Sequence, residues 1–451
     1  MSQPYAWSRR TSNLSLVNFF TVQEHTLLAY TFHDQSPNCT EKVPFNIHHQ
    51  PNLHLAMSIE PVELDGREGE GGGQLFRLAV GLSALHKIPI RVSHIRGNRS
   101  AGGGLKSQHL ACVNWLAHAS NATVIGAEKG SKSLELWPCQ DQSKSPAYRF
   151  VKDTANALGF WECRLDIKTA GSTGLALQAT LPFILFNPPR NEDGTLSKIP
   201  IRVTISGGTN VSGSPSYEYI AQVLLPTLRS IGLPPISSTL DQRGWSHGGS
   251  SIGSFTLNIP ARQSLVLPAF KLCPDKRTSS PIPPKHLEVT FVAPSAAHQH
   301  LRNVCTPTIA SYFGPELSEA NGNVSLTCED SRHDKRYYLI IVATVPASST
   351  STSALKTYKL GRDWLYDRKL RSPEQTATEL VDRVSHDLYA EWSSGAYVDE
   401  HMRDQLVVFE ALAEGGSRIF GGCDATGEPR EASLHAKTAE WVIGQMRDGG
   451  R

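Results

Sequence analysis

The pentapeptide I-P-I-R-V occurs twice, at 88–92 and 199–203, each time preceded by lysine. Five matching residues can arise by chance, so the flanks decide. A glycine-rich turn and the apolar run 75–85 precede the first copy; A-G-S-T-G at 170–174 and the apolar run 175–186 precede the second. Runs of that length and apolarity suit buried helices. After each copy comes a loop of small residues, 97–104 and 206–216, and then a second helix-like stretch, 108–118 and 217–231. The order glycine turn, helix, strand, glycine loop, helix therefore appears twice, about 110 residues apart, which implies stacked copies of one α/β unit. A third, weaker copy lies near the end. Residues 404–414 are helix-like and stop at Gly415 and Gly416, a C-terminal glycine signal. Then 417–420 reads as a strand, 421–430 as a loop and 433–446 as a helix. Copies one and three open this last helix with Q-H-L at 108–110 and S-L-H at 433–435, so each has a histidine in the first turn.

Between copies two and three, 258–394 has a different character. It carries a Ser/Pro/Lys linker at 276–285, a Ser/Thr tract at 347–354 and strand-like runs at 287–292 and 337–344. It closes with a helix that begins Ser372-Pro373-Glu374-Gln375, a capping box with proline at the first helical position. The expected fold is thus α/β: a large domain of three repeated units, over 57–257 and 395–451, with a smaller inserted α/β domain over 258–394. The first 56 residues stand apart. They lack periodicity and hold no acid before Glu24; with Arg9 and Arg10 they faintly resemble a mitochondrial presequence. The expectation is a disordered tail or a gene-model artefact, with the folded part opening at Met57.

A chain of 451 residues has room for two or three domains. Its net charge of +2 leaves no global footprint for nucleic acid, so any RNA contact rests on a local patch. No apolar stretch reaches the ~18 residues of a membrane helix. Eight scattered cysteines without a C-x-x-C pair speak against a disulfide framework or a structural zinc site and for reduced thiols inside the cell.

The turn at 65–77, D-G-R-E-G-E-G-G-G-Q-L-F-R, fails both standard nucleotide fingerprints. Gln74 stands where the last glycine of G-x-G-x-x-G belongs, and no G-x-x-x-x-G-K-[ST] is near. Taken by itself it reads as a turn. Glu70 inside it is suited equally to hold a divalent cation or to stand solvated. Arg77 follows Gln74 by one turn, pointing into a site or snorkelling from an apolar helix. Arg96 and Arg99 lead into a flexible backbone with Lys106, Gln108 and His109. That composition serves bidentate phosphate recognition and an ordinary basic loop alike. Asp404 near a helix start reads as a cap before it reads as a catalyst. His435 is the sharpest single candidate: the positive end of a helix disfavours imidazolium and keeps the ring neutral, although spacing alone also fits a histidine satisfied at a helix start.

Together these stretches resemble one family. L-D-G-x-x-G-E-G-G-G-Q-x-x-R at 64–77, I-R-x-x-R-S at 95–100, G-L-K-x-Q-H-L at 104–110 and S-G-G-T at 206–209 resemble RNA 3′-terminal phosphate cyclases of the eukaryotic type. So do D-Q-L-V at 404–407 and S-L-H-A-K-T-A at 433–439. The resemblance covers about 59–257 and 397–446 in order; the insert corresponds only by position. It implies ATP-dependent conversion of RNA 3′-phosphate ends into 2′,3′-cyclic phosphates, with a divalent cation (Mg or Mn) and nuclear, or also cytoplasmic, residence. By the same resemblance His435 attacks the α-phosphorus of ATP to give a covalent histidine–AMP. Glu70 approaches the metal and the nucleotide phosphates beside Gln74. Arg77, Arg96, Arg99, Gln108 and His109 line the phosphate and RNA-end site, and Asp404 supports the histidine or the nucleotide. Three features depart from the family pattern. The loop 101–104 is one residue longer and has glycine where proline is common, and 244–251 reads G-W-S-H-G-G-S-S in place of G-F-Y-P-x-G-G-G. Only 16 residues follow His435, where relatives continue through another strand. The rival reading is a non-enzymatic, cyclase-like ribosome-assembly factor of the same fold. It predicts loss of the histidine and of G-E-G-G-G-Q, and both are present.

Overall fold

The computed structural model describes residues 60–448 apart from 101, 142–144, 154–158, 275–280 and 348–354; the extension expected over 1–56 lies outside the described residues. The first unit runs β1 (Val62–Asp65), α1 (Gly73–His86), β2 (Ile90–Ser93), α2 (Ser107–Ala119), β3 (Thr123–Ile125) and β4 (Leu134–Trp137). Strand β1 pairs parallel to β2, β2 antiparallel to β4, and β4 antiparallel to β3, in the order β1-β2-β4-β3. After an edge strand β5 (Arg149–Val151), the second unit repeats the plan. It runs β6 (Phe160–Asp166), α3 (Thr173–Phe186), β7 (Ile201–Gly207), helix α4 (217–230), β8 (Ser237–Gln242) and β9 (Gly253–Ile259). Its sheet order, β5-β6-β7-β9-β8, places corresponding strands in corresponding positions. The two I-P-I-R-V copies supply β2 and the start of β7. In the first, Ile90 and Val92 are buried while Arg91 reaches across the strands to Glu63 and Glu135, the alternation a sheet with one covered face requires.

Strand β10 (Lys271–Leu272) falls within the expected insert 258–394 but pairs with Arg418–Ile419 near the end of the chain, and the inserted segment follows it. That segment comprises β11 (His286–Ala293), α5 (Ser295–Phe313), β12 (Val324–Asp330), β13 (Tyr338–Pro346), β14 (Thr357–Leu365) and α6 (Pro373–Ser393). Its four strands lie in the order β12-β11-β13-β14, and α5 and α6 pack together on the sheet. Ser372 caps α6, its Oγ accepting from the Gln375 N–H at 3.2 Å, as the capping box predicts. Helix α5 escaped the sequence pattern because Pro307 sits inside it and polar residues dilute its apolar face. The chain then returns through α7 (Glu400–Leu412), β15 (Arg418–Ile419), which pairs parallel to β10, and α8 (Leu434–Asp448). Helix α7 starts four residues before the expected Asp404, because Asp399 is the cap and its Oδ1 accepts from the Met402 N–H at 2.9 Å. Asp404 is thereby freed from capping.

Helices from all three units meet in the core: α1 packs against α3 and α8, and α7 against α3 and α8. Helix α1 is buried from Gly73 through Ala84, polar residues included. It lies close against α3 at Gly81, where an added Cβ would lie 2.6 Å from the Ala179 carbonyl oxygen. On the insert side, Asp399 ties three elements together. Tyr219 Oη in α4 donates to its Oδ1 at 2.5 Å, and the Gly361 N–H in β14 donates to its Oδ2 at 3.0 Å.

Candidate active site

The glycine turn between β1 and α1 is fastened to the last helix. The Glu70 N–H donates to Thr438 Oγ1 at 2.8 Å, and Thr438 Oγ1 donates to the Leu434 carbonyl at 2.7 Å. Gly69 has φ +59°, and a Cβ there would lie 2.3 Å from Thr438 Oγ1, so only glycine lets the turn approach so closely. Ser433 Oγ accepts from the Ala436 N–H at 3.1 Å and so helps to fix the first turn of α8, which carries His435. Glu70, Gln74, Arg77, Arg99, Asp404 and His435 line one cleft of about 620 Å³.

Beside Gly73 the cleft is lined by Glu70, Gln74, Arg77 and Arg99. The Glu70 carboxylate, 8% exposed, pairs with the Arg99 guanidinium and accepts from the Gln74 N–H at 3.4 Å. Arg77 is buried. Its Nη2 donates to Gln74 Oε1 at 2.8 Å and its Nε to Gln178 Oε1, in α3, at 3.2 Å. Burial, helped by the charge of Arg96, lowers the Arg77 pKa to about 10, which leaves it cationic at neutral pH. His109 is buried too, and its Nδ1 accepts from the Lys106 N–H at 3.2 Å, which places the ring proton on Nε2. Burial first, and then Arg77, Arg96 and Lys106, take its pKa down to about 3, so the ring is neutral.

Around Arg77, three buried donors have no protein acceptor among the described residues: Gln74 Nε2, Gln178 Nε2 and His109 Nε2. Leaving one such group unpaired costs about 1–3 kcal/mol. All three belong to side chains gathered around Arg77. A Cβ on Gly73 would lie 2.6 Å from Arg77 Nη1 and 2.8 Å from His109 Nε2, so this glycine keeps the space before them open. Helix α1 begins at the same residue and adds its positive end. Orphaned donors, a buried guanidinium and a helix N-terminus together suit the oxygens of a phosphate.

His435 and Asp404 act on each other from opposite directions. Burial lowers the His435 pKa, and Arg77, Arg99 and His401 push the same way, while Asp404 opposes them. Burial raises Asp404 to about 6 against the pull of His435, His401 and Arg77. The imidazole is therefore neutral at neutral pH and lies within the field of an ionised carboxylate.

Arg96, Gln108 and His109 do not line the cleft. Arg96, at φ +56°, donates Nη1 to the Gly104 carbonyl at 3.2 Å and braces the loop before α2. Gln108 Oε1 accepts from the Ser172 N–H at 3.0 Å, joining the start of α2 to the N-cap of α3. His109 stands behind Gly73, edge-on to Phe76. The sequence pattern missed Gln178, Thr438 and the wall that the insert contributes. Gln178 had a signal: a lone amide in the apolar run L-A-L-Q-A-T-L needs a partner when buried. Thr438 had none. The insert's wall is joined to the loop before α4, with Ser212 Oγ donating to Asp367 Oδ2 at 2.8 Å and Ser216 Oγ to Asp363 Oδ2 at 2.7 Å.

Among the described residues no three His, Cys, Asp or Glu side chains are grouped to hold a metal ion. A divalent cation in this cleft would take Glu70 as its protein carboxylate and complete its shell from phosphate oxygens and water, a mode common for Mg²⁺.

Residues 68–449 match the family model described as RNA 3′-terminal phosphate cyclase. The chain is similar to curated proteins of that name from three organisms. That of Methanosarcina mazei is 30% identical over 393 residues, covering 86% of this chain and 95% of that protein. That of Methanosarcina barkeri is 28% identical over 388 residues, with 86% and 95% covered. That of Pyrococcus furiosus is 27% identical over 384 residues, with 85% and 92% covered.

Proposed function

From the premise that the chain belongs to the RNA 3′-terminal phosphate cyclase family, a family of enzymes, we propose that it uses ATP to convert an RNA 3′-terminal phosphate into a 2′,3′-cyclic phosphate. The observation that carries this reading is the set of buried donors around Arg77, without protein acceptors among the described residues, beside a cleft that also holds His435.

In the proposed sequence a ring nitrogen of neutral His435 attacks the α-phosphorus of ATP. The N–P bond forms as the P–O bond to pyrophosphate breaks, and pyrophosphate leaves with the electron pair. The adenylyl group then passes to an oxygen of the RNA 3′-phosphate, which restores the imidazole. Finally the 2′-oxygen bonds to the 3′-phosphorus, AMP departs, and the hydroxyl proton goes to solvent. Each displacement is easier than direct cyclisation because an activated phosphoryl group replaces an inert one. Arg77 and Gln74, which line the cleft, would offset charge on the phosphates, Gln178 and His109 would back them from behind, and Asp404 would stabilise the positive charge that develops on His435. A divalent cation held at Glu70 would supply further charge neutralisation at the phosphates.

The test is incubation with α-labelled ATP and a divalent metal. Acid-labile label on the wild-type chain and none on H435A is expected. Absence of label on wild type, or equal label on H435A, would sink the proposal.

A further inference from the structure

The cleft has a second wall, built from the insert. Trp364 at the end of β14 and Arg383 and Asp387 of α6 line the same cleft as His435. Beyond Trp364 the chain runs Y-D-R-K-L-R at 366–371 around a second, open recess of about 400 Å³, lined by Tyr366, Arg368, Lys369, Arg371 and Glu379 among others. Trp364 joins the two spaces. The guanidinium carbon of Arg383 lies 4.2 Å from its ring centroid and that of Arg368 5.1 Å, with the Tyr366 ring 5.0 Å away. The rings are buried, at 9% and 2% exposure, while the arginine side chains are 45% and 56% exposed. This is a fixed aromatic platform carrying two half-exposed cations.

Charge along the strip is unbalanced. Arg368 pairs with Glu379, and Arg383 Nε is 3.7 Å from Asp387. Asp367 also lies on the strip, where it accepts from Ser212 Oγ and keeps its charge. Lys369 and Arg371 are exposed, and Arg371 shares the field of Glu379 with Arg368, so the strip carries four cations against three carboxylates. Stacked guanidiniums followed by flexible cations are what a single-stranded phosphodiester backbone needs: planar phosphate donors, with no edges arranged to read a base.

We propose that Arg383, Arg368, Lys369 and Arg371 form a track for the single-stranded RNA immediately 5′ of the reacting end. The inference rests on the cyclase reading above, because that reading puts the terminal phosphate in the cleft where the track begins. An RNA end held beside His435 must leave the cleft, and this wall offers cations along the way out. The track binds backbone and is indifferent to sequence.

The test is direct binding of a fluorescent single-stranded 12-mer RNA bearing a 3′-phosphate, followed by anisotropy across a salt series. K369E/R371E alters two exposed side chains, and matching thermal midpoints establish that it folds. Its Kd should rise about tenfold or more, and the slope of log K against log salt should become shallower by roughly 1 to 2. R383K keeps the charge but loses the planar stack, and should weaken binding while leaving the salt slope in place. A variant Kd and slope equal to wild type, or no binding of the 12-mer by wild type, overturns the track. Labelling of wild type by ATP needs no RNA, so its failure strikes the cyclase reading and is told apart from failure of the track.

Discussion

Asp404 and His435 illustrate how one carboxylate tunes one ring. Asp404 raises the His435 pKa against the burial that lowers it, so removing that charge must move the ring's titration to lower pH. On the proposed mechanism, self-labelling by ATP needs the neutral ring and should decline in acid. In D404N the acid limb of the single-turnover pH profile should shift to lower pH, with a lower plateau because the developing imidazolium loses its counter-charge. A limb that stays in place contradicts the coupling. Thr438 offers a second check. T438V removes the acceptor of the Glu70 N–H and should cost about 1–3 kcal/mol by denaturant midpoint, whereas T438S should recover most of it. At this scale legibility followed chain order. Glu70, Gln74, Arg77 and His435 stood in recognisable strings, but the pairing of Glu70 with Thr438, 368 residues apart, left no local trace. Asp399 and Asp404 show the reverse difficulty: two acids near one helix start, where only the hydrogen bond to Met402 shows which one caps.

Helices α1 and α8 carry opposite lessons about glycine. Alanine is preferred to glycine in a helix by about 1 kcal/mol. Gly81 in α1 faces the Ala179 carbonyl oxygen at 2.6 Å from an added Cβ, whereas Gly444 in α8 has nothing within 4 Å of one. G81A should therefore destabilise the protein by about 1–3 kcal/mol through overpacking, and G444A should stabilise it by about 0.5–1 kcal/mol. Urea midpoints moving in opposite directions are the expected result; a gain from both removes the argument for close packing of α1 on α3. The repeated helices were legible because an apolar run bounded by glycine or a cap is a strong signal. The paired strands β3–β4 and β8–β9 were not: they are short or half exposed, and their register is set by neighbours rather than by their own pattern.

Across the whole molecule, the repeated body and the insert are joined by polar contacts. Arg243, after β8, pairs with buried Glu218 of α4 at 2.6 Å and with Glu329 of β12 at 2.5 Å. Arg336 lies over Trp245 and donates to the Gly249 carbonyl at 2.9 Å, so the divergent turn 244–251 serves as a seat for the insert. R243A leaves Glu218 without its cation and should cost about 3–5 kcal/mol, read as a lower denaturation midpoint; an unchanged midpoint would show that the joint is not stabilised there. Fold class followed from the repeat, while the mating of insert and body did not, since each such contact joins residues that no local pattern relates. The bond between Glu70 and Thr438 has a last consequence, in time rather than space. The glycine turn leaves the ribosome 368 residues ahead of its partner, an interval of roughly 20 to 70 seconds at ordinary elongation rates. Throughout that interval the turn exists without the helix that seats it, so the cleft holding both Glu70 and His435 forms only once α8 has been made.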